Sequence, residues 1–213
     1  MQNKILSYKR ESFRKAIHML TIVIPILYMI LDKMDMMIFM VVISVLMLMI
    51  DFYRRSDNVL SKYFYKFLGK VIRPYESENL MSSTYLIIAS LLIIMLVPEK
   101  YKFIPILAIS YASICDSFAA LYGIKFGKTH LVNNKTLEGS LVFVISGLLV
   151  TYLYLSFYLR SDLFIFTFDY NNVIYFYLCP FLTSIVELFT LTEYDNLSVP
   201  VFSTLFLTIV VFI

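Results

Sequence analysis

Seven long stretches of apolar residues are the feature that most constrains how this 213-residue chain can fold. A helix needs about 20 apolar residues to cross hydrocarbon about 30 Å thick, and fewer where charged residues at its ends reach the interface. The sequence therefore predicts an all-α, polytopic membrane helix bundle. The predicted spans lie near residues 16–31, 35–50, 83–97, 103–122, 140–158, 173–191 and 197–213.

The composition also lies outside the range of ordinary soluble domains. Hydrophobic residues make up 60% of the chain, and its mean hydropathy is +0.80. Basic residues precede the first span, as in a signal peptide, but the following Leu31-Asp32-Lys33-Met34 provides no small-residue cleavage site. We therefore expect a retained anchor and a single integral membrane domain over residues 1–213.

The lysines and arginines are distributed unequally between the predicted loops. If the N-terminus is cytoplasmic, 14 of the 18 basic residues lie on the cytoplasmic side. Cytoplasmic loops normally carry this excess, so the sequence predicts a cytoplasmic N-terminus. With seven spans, the C-terminus lies on the opposite side. The basic residues assigned to that side are Lys33, Lys100, Lys102 and Arg160.

The segment between the second and third spans predicts an amphipathic helix that ends at Pro74. A helix with a lysine stripe is expected to lie in the cytoplasmic interface and attract anionic headgroups, although a connector packed on the bundle is the alternative. Its apolar positions are Val59, Leu60, Tyr63, Phe64, Phe67, Leu68, Val71 and Ile72, and its lysines are Lys62, Lys66 and Lys70.

Two acidic residues lie inside predicted spans, where ionisable groups are costly and usually mark function. Asp116 lies about seven residues before Gly123, which places it about 10 Å inside the cytoplasmic end of the fourth span. It is either a magnesium ligand or a general base, or it forms a structural ion pair with Arg14 or Lys15. Glu187, in the sixth span, is either a catalytic carboxylate or a hydrogen-bonding group of the bundle.

A loop rich in glycine and lysine follows the fourth span. Its residues 123–129, GIKFGKT, are one residue short of a P-loop and follow a membrane helix, so a soluble P-loop fold is excluded. The glycines are still expected to expose backbone N–H groups, and Lys125, Lys128 and Lys135 to neutralise phosphate oxygens. The fifth span begins near Glu138, and a helix N-terminus facing the cytoplasm is a natural anion site.

Three separated blocks resemble the family of dolichol kinases, phytol kinases and CTP-dependent diacylglycerol kinases, which is related to the membrane cytidylyltransferases. They occur in the family's order, and the middle block is the most specific, with Thr136 where serine is more usual. The blocks read Glu11-x-x-Arg14-Lys15-x-x-His18; Asp116-x-x-Ala119-Ala120-x-x-Gly123-x-x-x-Gly127-Lys128, ending in Lys135-Thr136-x-Glu138-Gly139-Ser140; and Glu187 followed by Asp195-Asn196-x-x-x-Pro200.

The resemblance implies phosphoryl transfer from CTP to the hydroxyl of a membrane lipid such as a polyprenol, phytol or diacylglycerol, with Mg²⁺ bridging the phosphates. We expect Arg14, Lys15, Asp116 and Glu187 to be catalytic. We expect Mg²⁺ to be held by Asp116 together with Glu138 or Asp195. The expected nucleotide-binding residues are Gly123, Gly127, Lys128, Lys135, Thr136, Glu138, Gly139, Ser140 and Asn196.

Two alternatives to a lipid kinase stay open. A cytidylyltransferase would move CMP to a lipid phosphate, but the aspartate-rich signature of phosphatidate cytidylyltransferases has no counterpart here. A small transporter or membrane scaffold is disfavoured because the chain lacks repeat symmetry and paired broken helices. The expected partners are the bilayer, a lipid substrate and a nucleoside triphosphate. Topology accounts for the basic residues, so nucleic-acid binding has no support.

Overall fold

The protein is an α-helical bundle in a computed structural model that describes residues 2–56, 58–69, 72–160 and 173–212. Within these ranges no strand is formed, although an isolated bridge joins His130 and Thr136. The all-α prediction is confirmed. The helices are α1 (Gln2–Met19), α2 (Val23–Ile30), α3 (Lys33–Arg54), α4 (Val59–Leu68), α5 (Ser82–Leu96), α6 (Phe103–Ser110), α7 (Asp116–Phe126), α8 (Leu137–Arg160), α9 (Val173–Phe189) and α10 (Asp195–Phe212).

Each predicted span coincides with an apolar helical segment, and such a bundle is compatible with an integral membrane protein. Two of these helices, α5 and α9, are short, with 15 and 17 described residues. Large apolar side chains such as Ile30, Leu96 and Ile174 point outward and are 75%, 78% and 68% exposed, which suits a lipid environment. The five segments long enough to cross a membrane are Tyr8–Ile30, Lys33–Arg54, Phe103–Phe126, Leu137–Phe157 and Asp195–Phe212.

The first helical segment begins earlier than the predicted span at residue 16. Helix α1 starts at Gln2 and continues through a 3₁₀ turn, Leu20–Ile22, into α2. Pro25 accounts for this turn because its ring nitrogen cannot donate a hydrogen bond to the carbonyl of Thr21. The basic residues before the span are therefore helical, and α1 packs against α7.

The segment from Phe103 to Phe126 forms the centre of the bundle. In its most apolar stretch 78% of the residues are buried, against 22–39% in the other four long segments. A π-helical turn, Tyr111–Cys115, joins α6 to α7 within this segment. Because π-helical turns are rare and are frequently found at functional sites, the residue that follows the turn, Asp116, is of particular interest.

The amphipathic helix is shorter than predicted. Helix α4 ends at Leu68, with Gly69 as its C-cap, and does not continue to Pro74. Asn58 begins the helix, because its side chain accepts a hydrogen bond from the Ser61 N–H at 2.8 Å. Phe67 is 73% exposed, as expected for an apolar face turned away from the bundle. Lys70 and Val71, part of the predicted pattern, lie outside the described residues.

Candidate functional site

A cavity with a volume of about 450 Å³ lies at one end of the bundle, a size typical of ligand sites. It is lined by α1, α5, α7, α8, α9, α10, the loops between α7 and α8 and between α9 and α10, and the segment before α5. Four acidic and four basic side chains face it, so its formal charges balance. They are Glu11, Asp116, Glu187 and Asp195, and Arg14, Lys15, Arg73 and Lys135.

Asp116 is buried at the junction of the π-helical turn and α7. Its Oδ2 accepts a hydrogen bond from Nζ of the equally buried Lys15. The Nε2 of His18 lies 3.8 Å from the same oxygen and 3.2 Å from the carbonyl oxygen of Ala112. The ion pair considered from the sequence is therefore present, and both of its partners also line the cavity.

Three carboxylates from three helices converge on this cavity. Asp116, Glu187 and Asp195 each contribute an oxygen, and these oxygens lie within 4.8 Å of one another. Carboxylate oxygens are the ligands that Mg²⁺ prefers, so the chemistry of this group fits the expected metal. We call these three residues the carboxylate cluster.

Lys135 lies between two members of the carboxylate cluster. Its Nζ donates to Asp195 Oδ1 at 2.8 Å, lies 2.9 Å from Glu187 Oε1, and also donates to the carbonyl oxygen of Glu187. Burial alone would lower the pKa of Lys135, but the two carboxylates outweigh burial and raise that pKa above its ordinary value. The ammonium group is therefore charged in the resting site.

A tight turn before Lys135 delivers it to the cavity. Asn133 and Asn134 have φ of 55° and 61°, the left-handed region that asparagine tolerates better than most residues. The Asn133 side chain donates to the carbonyl oxygens of Phe189 and Thr190, at 3.1 and 3.2 Å, and so caps the C-terminal end of α9. This turn fixes the loop onto the helix that carries Glu187.

Three glycines of the predicted nucleotide-binding loop, Gly123, Gly127 and Gly139, line the cavity. The backbone N–H groups of Gly127 and Gly139 already donate to acceptors within the protein. Gly127 donates to the carbonyl oxygen of Gly123 at 2.9 Å, and Gly139 donates to Thr136 Oγ1 at 3.2 Å. A Cβ at Gly123 would lie 2.8 Å from Thr136 Oγ1, and one at Gly139 would lie 3.0 Å from the carbonyl oxygen of Ala119. The glycines therefore let α7 and α8 approach closely.

Two predicted ligands, Lys128 and Glu138, do not line the cavity. The carboxylate of Glu138 instead accepts from the Thr129 N–H, at 3.2 and 3.3 Å, and closes the loop before α8. Glu187, expected from the sequence to be catalytic, lies with Asp116 and Asp195 in the carboxylate cluster, and Glu138, expected as a metal ligand, does not. Sequence spacing could not reveal the contact of Glu187 with Asp116, because the two residues are 71 positions apart and meet only through the packing of α9.

The remaining predicted residues line the cavity. The side chain of Asn196 donates to the carbonyl oxygen of Ser82 at 2.8 Å and thus joins α10 to α5. The buried Oγ of Ser140 has no hydrogen-bond partner in the described part of the chain.

Two charged residues of the cavity were not predicted as site residues, Glu11 and Arg73. Glu11 belongs to the first resemblance block, which was the available signal. Glu11 Oε1 lies 2.5 Å from Nη2 of Arg14 and 3.0 Å from Nη2 of Arg73. Arg73 is 62 positions from Glu11 and belongs to none of the three blocks, so no local pattern identified it.

The comparisons with known proteins add one relative. The chain is 29% identical over 146 residues to "Uncharacterized protein RP860" of Rickettsia prowazekii (strain Madrid E). The alignment covers 67% of this chain and 70% of that protein. No family model matches the chain, and no solved structure matches it. The name of the relative states no activity.

Proposed function

We propose that this protein is a membrane lipid-alcohol kinase that transfers a phosphoryl group from a nucleoside triphosphate to a lipid hydroxyl. The observation that carries the proposal is a cavity in which three convergent carboxylates and four basic side chains lie at one end of an apolar helix bundle. Phosphoryl transfer requires mainly positioning and charge stabilisation, which such a cavity can supply. The family resemblance favours CTP as donor and a polyprenol, phytol or diacylglycerol as acceptor.

The carboxylate cluster would hold Mg²⁺ in this reaction. When bound, the ion would offset the negative charge of the phosphate groups. Lys15, Arg14 and Lys135 would neutralise the remaining charge of the triphosphate, and they line the same cavity. As the new P–O bond forms, a carboxylate oxygen would accept the proton of the lipid hydroxyl, and the nucleoside diphosphate would leave.

We also propose that the chain crosses the membrane seven times. The N-terminus and the cavity would lie on the cytoplasmic side, and the C-terminus on the opposite side. Five long apolar segments and two shorter apolar helices support it, as does the basic excess near the cavity end. Helix α4, with Lys62 and Lys66 exposed, would lie in the cytoplasmic interface.

The decisive experiment follows labelled CTP with the purified protein in nanodiscs that contain a panel of lipid alcohols. Transfer of the γ-label to lipid is expected, and Asp116→Asn should abolish it. Glu99→Gln is the matched control, because Glu99 accepts from the Lys33 N–H at 3.1 Å and does not line the cavity. Transfer of the α-label instead would mean nucleotidyl transfer. No transfer of label to any lipid would refute the proposed enzymatic activity.

Metal binding gives a readout that is independent of turnover. Mn²⁺ binding, followed by electron paramagnetic resonance, should weaken about tenfold or more in Glu187→Gln, because a charged ligand is lost. Glu138→Gln should leave it unchanged, because Glu138 does not line the cavity. If Glu138→Gln weakens Mn²⁺ binding and Glu187→Gln does not, the metal ligands are those expected from the sequence, with Glu138 among them.

A further inference from the structure

The segment that carries Arg73 is anchored by a buried pair at the end of α3. Asp51 and Arg54 are 0% and 2% exposed, and Arg54 Nε donates to Asp51 Oδ1 at 2.6 Å. The Arg54 guanidinium also donates to the carbonyl oxygens of Glu76 and Asn79, at 2.6 and 2.5 Å. Because this guanidinium is occupied by backbone acceptors, its role is to hold the segment before α5 in place.

Glu76 fixes the backbone of Arg73 within this segment. Its Oε2 accepts from the Arg73 N–H at 2.8 Å, and its Oε1 accepts from the N–H and Oγ of Ser82, at 2.9 and 2.7 Å. Glu76 is 5% exposed, so these charge-assisted hydrogen bonds are shielded from water. Glu76 therefore joins the backbone of Arg73 to the first residue of α5.

The guanidinium of Arg73 faces the cavity next to that of Arg14. Arg73 donates to Glu11 Oε1 at 3.0 Å, to Tyr75 Oη at 3.3 Å and to the Thr192 carbonyl oxygen at 3.4 Å. A guanidinium has five N–H donors, more than these three acceptors. Arg14 contacts the same oxygen of Glu11, so one carboxylate holds two guanidinium groups together. The group carries a net positive charge on the cavity wall.

We propose that Arg73 is a phosphate-binding residue of this site and acts beside Arg14 across Glu11. The proposal rests on the proposed function and extends it to a segment outside the three resemblance blocks. Paired guanidinium groups present parallel N–H donors to phosphate oxygens, a geometry that lysine cannot reproduce. The ligand is a phosphate group, either of the nucleotide or of a phosphorylated lipid.

The test measures two dissociation constants for Arg73→Gln and Arg73→Lys in nanodiscs, one for CTP and one for farnesyl monophosphate. Arg73→Gln should weaken at least one of them about tenfold or more, the loss expected for a charge-assisted hydrogen bond. Whichever probe is affected identifies the source of the phosphate. Arg73→Lys should recover only part of the affinity, and it carries the test if Arg73→Gln fails to fold.

Arg55→Gln is the matched control. Arg55 donates to the carbonyl oxygens of Asp51 and Glu78, at 2.9 and 3.2 Å, so it contacts the same anchored segment without lining the cavity. It should leave both constants unchanged. If the unmodified protein binds the probes and transfers phosphate, but Arg73→Gln binds both probes as tightly, the role of Arg73 is refuted and the proposed function stands. If the unmodified protein binds neither probe, the proposed function fails with it.

Discussion

At the scale of single residues, the buried ion pair of Lys15 and Asp116 both stabilises the fold and takes part in the reaction if the proposed function holds. Removing one partner of a buried ion pair leaves an uncompensated charge and typically costs about 3–5 kcal/mol, whereas an apolar pair of similar volume is often tolerated. Loss of activity in Asp116→Asn alone therefore does not separate catalysis from folding.

We expect a Lys15→Met, Asp116→Leu double variant to unfold at a higher temperature than Asp116→Leu alone and yet to transfer no phosphate. The first effect follows from removing both buried charges, and the second from losing a carboxylate of the cluster. Thermal unfolding in detergent and the γ-label assay measure the two effects. An active double variant would make the pair purely structural.

Lys135 occupies part of the carboxylate cluster in the resting site, so it should compete with a metal ion. Lys135→Met is expected to bind Mn²⁺ more tightly than the unmodified protein when no nucleotide is present, and to bind CTP more weakly. Paramagnetic resonance and calorimetry measure these affinities. Lys128→Met, outside the cavity, is the control, and equal Mn²⁺ affinities in both variants would argue against competition.

The sequence identified much of the candidate site because ionisable residues in apolar spans are conspicuous. Asp116 and Glu187 were expected in the site for this reason, and Lys135 because it lies in the lysine-rich loop, and all three line the cavity. Arg73 was missed because its position depends on the buried Asp51 and Arg54, which act through tertiary contacts. Residue type identified the charges of the site, and only packing determined which of them meet.

At the scale of helices, the contact of α7 with α8 depends on the absence of side chains. Gly123 and Gly139 face each other there, with Thr136 packed beside both. The spacing of the glycines had suggested a phosphate cradle. Both interpretations require glycine, so the sequence alone could not separate them, and the geometry favours helix packing.

A double-mutant cycle tests this packing. Gly123→Ala should lower the unfolding temperature, because its Cβ would lie 2.8 Å from Thr136 Oγ1. Thr136→Ala removes that oxygen, so Gly123→Ala should cost less in its presence, with an interaction of about 0.5–3 kcal/mol. Purely additive effects on thermal unfolding would mean that the two side chains do not collide.

Two helix ends differ from those predicted. Helix α4 ends at Leu68 and not at Pro74, and its C-cap, Gly69, keeps a right-handed backbone conformation with φ of −58°. The first segment extended to Gln2 because lysine and arginine are good helix formers and α1 packs on α7. A hydropathy pattern marks the part of a helix that suits lipid and does not mark where the helix ends.

At the scale of the whole molecule, the proposed topology can be tested by cysteine labelling. Cys115 and Cys179 are buried, so single cysteines placed at Lys62, Lys128 or Lys100 can be followed separately. Lys62→Cys and Lys128→Cys should react with an impermeant maleimide only from the cytoplasmic side, and Lys100→Cys only from the other. Labelling of Lys100→Cys and Lys128→Cys from the same side would rule out the topology.

The π-helical turn at Tyr111–Cys115 determines where the central segment can change in length. Such a turn holds about one residue more than an α-helical turn, so it takes up that residue without turning the helix that follows. Deleting one residue within the turn would give a regular α-helix and leave Asp116 in the cavity. Deleting one residue from α6 would instead rotate all that follows by about 100° about the helix axis and take Asp116 out of the cavity, although no charged residue had been lost. Across evolution, changes of one residue in length should therefore be commoner in these five positions than in α6.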